Sequence, residues 1–348
     1  MAPAEGIGRR FSLAVDAMGG DRAPEAVLDG LVLAAERHPG ASFLIVGDEA
    51  RLAPLLAARP SVARLSVLRH APDAIPGEMK PTQALRLRNS SMRIAIDAVA
   101  RGEASAVVSA GNTGALMALA KIVIKTMPEI SRPALAAITP SARGDVVMLD
   151  LGANVQCDAR NLVEFAIMGD AFARAVLGLP APTLGLLNVG SEELKGDDRV
   201  KEAAEVLRAQ PGLAFHGFVE GHDIAAGTVD VVVTDGFTGN VALKTGEGAL
   251  KLMRDLLRQV FTSSLLARLG YLLARPALER LREWMDPRRY NGAILLGLNG
   301  VVVKSHGGTD ATGFAHAVDV AMDMVTHGFT TTIREGLARL AAAPVAGD

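Results

Sequence analysis

Short runs of valine, isoleucine and leucine recur along the chain, and most end in a loop dense in glycine and polar residues before a longer amphipathic stretch begins. This order limits the fold more than any other feature. A continuous apolar run of strand length has to be covered on both faces, and amphipathic helices returning between such runs supply the cover, which predicts βα units around a mostly parallel sheet. The predicted strands are 12–16, 43–46, 106–109, 146–151, 184–189, 229–234 and 294–304, the last interrupted at 297–300 in the manner of a hairpin. The loops after them read Asp-Ala-Met-Gly-Gly-Asp (16–21), Ser-Ala-Gly-Asn-Thr-Gly (109–114), Leu-Gly-Ala-Asn (151–154), Asn-Val-Gly-Ser-Glu-Glu-Leu-Lys-Gly (188–196), Asp-Gly-Phe-Thr-Gly-Asn (235–240) and Ser-His-Gly-Gly-Thr-Asp (305–310). One glycine turn is ordinary punctuation between strand and helix. In an open parallel sheet all six would gather at the carboxyl edge, where glycine admits ligands close to backbone N–H groups and helix starts favour anions such as phosphate.

At 348 residues and 49% hydrophobic content, the chain is long and apolar enough for a substantial core. Its 36 basic and 38 acidic residues leave a net charge of -2, so the chain as a whole has no bias toward nucleic acid. The single cysteine, Cys157, excludes an internal disulfide framework and an all-cysteine metal cage, and suits a reducing cytoplasm. Near the start, the apolar stretch 11–15 after Arg9 and Arg10 is too short for an export signal, and no apolar run approaches the ~20 residues of a bilayer span. Any membrane contact is therefore expected to be peripheral.

Taken in order, the six loops resemble those of the PlsX family of phosphate acyltransferases. The stretches that carry the resemblance are 15–21, 109–115, 151–154, 187–196, 234–240 and 307–310, and the likeness runs from about residue 12 to about 335. It implies a three-layer α/β/α fold of the isopropylmalate-dehydrogenase kind and a homodimer. It also implies transfer of a long-chain fatty acyl group from acyl carrier protein to inorganic phosphate for phospholipid synthesis, without cofactor or metal, in a cytoplasmic enzyme loosely held at the membrane. A downstream glycerol-3-phosphate acyltransferase is a further implied partner. The expected organisation is an N-terminal tail (1–11) and one catalytic unit (12–340), from which 254–290 protrudes.

Phosphate at neutral pH is itself an oxyanion nucleophile, so attack on a thioester requires placement and charge rather than a protein nucleophile. Lys195, in a glycine-flanked loop after a strand, has an ammonium suited to phosphate or to a developing oxyanion. Asn240 has a side-chain amide suited to the same task, or to capping a helix. The resemblance carries the catalytic role to these two. Phosphate or substrate binding falls to Asn112, Thr113, Gly114, Asn154 and Gly239. Asp16, Asp21 and Asp235 repel phosphate and are expected to orient loops. Cys157 has no histidine near it in sequence and reads as a buried thiol. His216, His222 and His306 fall near the same predicted edge, and the first two flank Glu220, but the spacing matches no metal motif.

Between 254 and 290 the pattern changes to two short amphipathic helices, separated at Arg275-Pro276. Phe261, Leu265, Leu269 and Leu272 recur at steps of three and four, with Leu278, Leu281 and Met285 continuing the stripe and Trp284 beside it; Ser264, Arg268 and Arg275 occupy another face. Nine basic and four acidic residues lie between 251 and 290, a local excess that suits an anionic membrane surface and an acidic carrier protein. Three other readings compete. A metal- and nicotinamide-dependent dehydrogenase would share the implied fold, but the G-x-G-x-x-G turn with its acidic partner is missing. A phosphate acetyltransferase-like enzyme acting on acyl-coenzyme A leaves 254–290 unexplained. A non-catalytic scaffold of lipid synthesis has no need of Lys195 and Asn240.

Overall fold

The computed structural model describes residues 11–128, 130–284, 286–326 and 333–334. Residues 1–10 of the expected tail, residues 335–340 of the expected unit, Met285 and the side chain of Trp284 lie outside this description. Eleven strands form one sheet. They are β1 (Phe11–Asp16), β2 (Phe43–Gly47), β3 (Ser66–His70), β4 (Ala104–Ser109), β5 (Ala134–Ser141), β6 (Gly144–Leu149), β7 (Thr183–Leu187), β8 (Ala214–Val219), β9 (Val231–Val233), β10 (Ala293–Leu296) and β11 (Val301–Lys304). The apolar runs became strands because both sheet faces are covered. On β1, Leu13 and Val15 enter one core beside Phe43, Phe165 and Phe314, while Ala14 enters the other beside Leu44, Met92 and Val107. The result is a three-layer α/β/α arrangement.

Across the sheet the order is β3-β2-β1-β4-β11-β10-β5-β6-β9-β7-β8. β1, β2, β3, β4 and β11 are mutually parallel. β10 is antiparallel to both β11 and β5, and β5 to β6, so β6, β7, β8 and β9 run opposite to the first group. This corrects the expectation of one carboxyl edge. Loops 16–21, 109–114 and 305–310 leave one edge, and loops 151–154, 188–196 and 235–240 leave the other. The reversal turns on the β5–β6 hairpin, which the alternation did not disclose.

The two half-sheets are also staggered. Ile294 pairs with both Val303 and Ala136, and Ala136 pairs with Leu149. The last residue of β6 is therefore level with the next-to-last residue of β11, about 14 Å away across three strand spacings.

A helix of 27 residues, Gly236–Thr262, starts at the second edge and is about 40 Å long. A second helix, Leu265–Trp284, returns beside it. Phe261 and Tyr271 meet edge to face near the turn, with centroids 5.6 Å apart. The break thus falls at 263–264, and Pro276 lies inside a continuous helix, contrary to the expected separation at Arg275-Pro276. Proline there removes one backbone donor, a loss that solvent can make good on an exposed helix.

Candidate functional site

At the second edge, Asp235 caps the long helix: its carboxylate accepts from the Thr238 N–H and hydroxyl, both at 2.9 Å. Asn240 is thus the fifth helical residue and does no capping. Its Nδ2 donates to the Leu151 carbonyl at 3.0 Å, and the residue is exposed. Gly152 faces it with φ +129, and a Cβ there would lie 3.0 Å from Asn240 Nδ2. Both the backbone conformation and the close approach call for glycine. Gly239 serves a similar approach, since a Cβ would sit 1.9 Å from the Asp150 carbonyl.

Asp150 braces the loop after β6. Its carboxylate accepts from the N–H groups of Leu135, Gly152, Ala153 and Asn154 at 2.7–3.2 Å and from Asn154 Nδ2 at 2.8 Å. Burial raises its pKa, and these bonds oppose the rise. Asn154 also donates to the Pro133 carbonyl at 2.7 Å, so its amide is committed within the loop.

Lys195 is exposed, with Nζ 2.8 Å from Glu192 Oε1. The pairing raises the lysine's pKa and lowers the glutamate's. An exposed pair of this kind is weak and readily exchanged for another anion. Asn188 Nδ2 donates to the Lys195 carbonyl at 3.0 Å, and Gly196, at φ +96, lies too close to Asn188 for any side chain. Between the carboxyl ends of β7 and β9, beneath this loop, lies a cavity of about 220 Å³ lined by Leu162, Leu186, Val233, Asn188, Arg199 and Asp235. Cys157 is buried nearby, where desolvation, reinforced by Asp150, pushes its thiol up to about 11. It stays protonated at neutral pH and is unsuited to nucleophilic attack.

At the first edge, Asn112 caps helix Thr113–Val123 by accepting from Ala115 N at 2.9 Å, and its Nδ2 donates to the carbonyls of Gly77 and Met79. Thr113 is exposed in the first turn, and Gly114 leaves room for Pro81. The Asp16 carboxylate is buried and accepts from the hydroxyls of Ser91 at 2.6 Å and Ser109 at 2.7 Å; burial raises its pKa. Asn112, Thr113 and Gly114 therefore belong to a loop of the first strand group, and Lys195, Asn240, Asn154 and Gly239 to loops of the second. One functional candidate escaped sequence reasoning: Lys304, buried at the end of β11. Its only signal was a charge closing the run Val-Val-Val-Lys.

His216 lies on β8, His222 is exposed beside Asp223, and at the other edge the His306 ring accepts from Gly308 N–H in its own loop while its backbone N–H donates to Asn291 Oδ1. Among the described residues, no group of three or more histidine, cysteine, aspartate or glutamate side chains is arranged to hold a metal. On the helical hairpin Leu265, Leu269, Leu272 and Arg268 are exposed, and Arg275 pairs with Glu279 at 2.8 Å. No described helix is long and apolar enough to cross a membrane.

Residues 11–332 match the family described as fatty acid synthesis protein. The chain is 72% identical over 331 residues to a phosphate acyltransferase of Granulibacter bethesdensis, covering 95% of this chain and 90% of that one. It is 62% identical over 340 residues to a phosphate acyltransferase of Rhodospirillum centenum, covering 97% and 96%. A phosphotransacetylase from Streptococcus pyogenes superposes with a TM-score of 0.59 at 18% identity, covering 91% of this chain and 94% of that one. A 4-hydroxythreonine-4-phosphate dehydrogenase from Klebsiella pneumoniae does so with 0.54 at 16%, covering 92% and 99%. At such identities these two likenesses establish a shared fold and nothing further.

Proposed function

The chain belongs to the fatty acid synthesis protein family and is a phosphate acyltransferase of phospholipid synthesis, and from that premise we propose that its acyl donor is the long-chain thioester of acyl carrier protein and its acceptor inorganic phosphate. A phosphate oxygen attacks the thioester carbon, the C–O bond forms as the C–S bond breaks, and the sulfur leaves with the bonding pair to be protonated as the carrier thiol. Lys195 exchanges Glu192 for the anionic reactants. Asn240 donates its amide to the oxygen that gains charge. Fixed donors of this kind stabilise the tetrahedral state more than the ground state. The observation that carries this assignment is the cap at Asp235, which leaves the Asn240 side chain without a capping duty. Phosphate and the reacting group are held by the glycine-bearing loops that include Asn112, Thr113, Gly114, Asn154 and Gly239, several of them acting by shaping the backbone.

Residues 12–340 act as one catalytic unit, and its helical hairpin meets an anionic membrane surface and the acidic carrier. The enzyme is cytoplasmic, peripherally bound to the membrane and homodimeric, and it passes acyl phosphate to a glycerol-3-phosphate acyltransferase. Exposed Leu265, Leu269 and Leu272 beside Arg268 and Arg275 support the membrane and carrier contacts. The test is incubation with acyl carrier protein thioester or acyl-coenzyme A, with and without phosphate. Phosphate-dependent formation of acyl phosphate from the carrier thioester is expected; turnover with acyl-coenzyme A alone would replace the donor.

A further inference from the structure

Lys304 is 8% exposed at the end of β11. Burying an ammonium is costly unless hydrogen bonds and a counter-charge replace its water. Its Nζ donates to the carbonyl oxygens of Ala110, at 3.4 Å, and Ser305, and it forms no ion pair among the described residues. Asp16 and Asp21 favour its charged form from a distance, but the Asp16 carboxylate is already engaged by Ser91 and Ser109. Lys244, one helical turn after Asn240 on the long helix, opposes that charge. Burial prevails and brings the ammonium down to about 8.

Three glycine-bearing loops converge over this lysine. A Cβ on Gly20 would lie 3.0 Å from the Ala110 side chain and 3.1 Å from the Gly307 carbonyl, and one on Gly19 2.7 Å from the Gly111 nitrogen. Lys244 Nζ is paired with Glu247 Oε2 at 2.7 Å, an exposed contact readily exchanged for another anion, whereas Lys304 is buried with no ion pair among the described residues; a multiply charged oxyanion would relieve both. We propose that Lys304 and Lys244, with loops 109–114 and 305–310, bind the inorganic phosphate consumed in the reaction. This rests on the phosphate acyltransferase reading. One of the two lysines thus sits one helical turn, about 6 Å along the helix, from Asn240.

The experiment is calorimetric titration of the full chain with inorganic phosphate, together with separate KM measurements for phosphate and for the acyl donor. Lys304→Met is expected to weaken phosphate binding and raise the phosphate KM at least roughly tenfold, with the donor KM nearly unchanged. Lys244→Met, at a side chain 52% exposed, should raise the phosphate KM severalfold with the fold intact, and it decides the matter if Lys304→Met does not fold. Unchanged phosphate affinity in the folded variants overturns the proposal. So does a raised donor KM with normal phosphate binding, which would assign the site to a phosphate group on the donor. If the unaltered protein makes no acyl phosphate, the functional reading fails, while the titration still judges the site.

Discussion

Lys195 and Lys304 both stand just beyond or at the end of a strand, yet the strands run in opposite directions and water treats the two lysines differently. Lys195 lies on an exposed loop, paired with Glu192 and free to change partners. Lys304 is enclosed by backbone, with carbonyl oxygens as its hydrogen-bond partners. An exposed cation can follow a reacting group, whereas a buried one keeps its place and holds its proton less firmly. The division suits a reaction in which one partner is small and must be fixed and the other arrives on a large carrier.

The sharpest way to break this comparison is to remove the exposed pair. Lys195→Ala and Asn240→Ala should each lower kcat by roughly 10²–10³ without a change in melting temperature, as measured by steady-state turnover and calorimetry. Near-normal kcat in either would return that residue to an ordinary surface role. Next come Leu265→Glu and Leu269→Glu, which touch neither lysine. Each should weaken binding to anionic vesicles by about tenfold, the worth of one buried leucine, and leave turnover on soluble donor largely intact. Sedimentation measures this, and a loss of fold would place the stripe in a packed interface.

The buried lysine has its own signature in the pH dependence of stability. Its pKa falls on folding from the ordinary 10.5 to about 8, so above pH 8 the unfolded chain holds the extra proton and stability rises with pH. Asp16, Asp21 and Lys244 are the charged groups that act on it. Cys157 works the other way: its thiol rises from 9.0 to about 11, so it withdraws stability from about pH 9 upward. The window between pH 8 and 9 therefore belongs to Lys304. Stability without phosphate should climb there by roughly 1 kcal/mol, and Lys304→Met should flatten the climb. A slope that survives the substitution would show that the lysine is not the titrating group. The smallest effect is expected from Cys157→Ser, with kcat within about twofold of normal, because the thiol has no part in the chemistry.

The sequence was legible where burial on both faces wrote a continuous apolar run, as in β1, β2, β4 and β9. It was opaque elsewhere for physical reasons. β3 and β8 lie at the two ends of the sheet and mix apolar with polar residues, so their runs are broken. β5 reads Ala-Leu-Ala-Ala-Ile-Thr-Pro-Ser, whose alanines carry little strand preference. Missing β5 concealed the reversal of the sheet, and six loops that looked equivalent in sequence proved to be two sets of three. Lys195 and Asn240 could be picked out because loop residues advertise themselves beside glycine. Lys304 is a strand residue, and only tertiary enclosure distinguishes it from any lysine that closes a strand.

The long helix joins these regions as a mechanical part. Its first turn is pinned: Gly236 donates to the Asn154 carbonyl and Gly239 abuts Asp150, while nearly every side chain from Lys244 to Thr262 is exposed. From the pinned turn to Asn240 is about 2 Å along the axis, and from the same turn to Thr262 about 35 Å. A rod pivoting there would scale a 10 Å swing at the tip down to less than about 1 Å at Asn240. The geometry thus works as a reducing lever. A tip moving in this way would leave the donor near the fulcrum almost still.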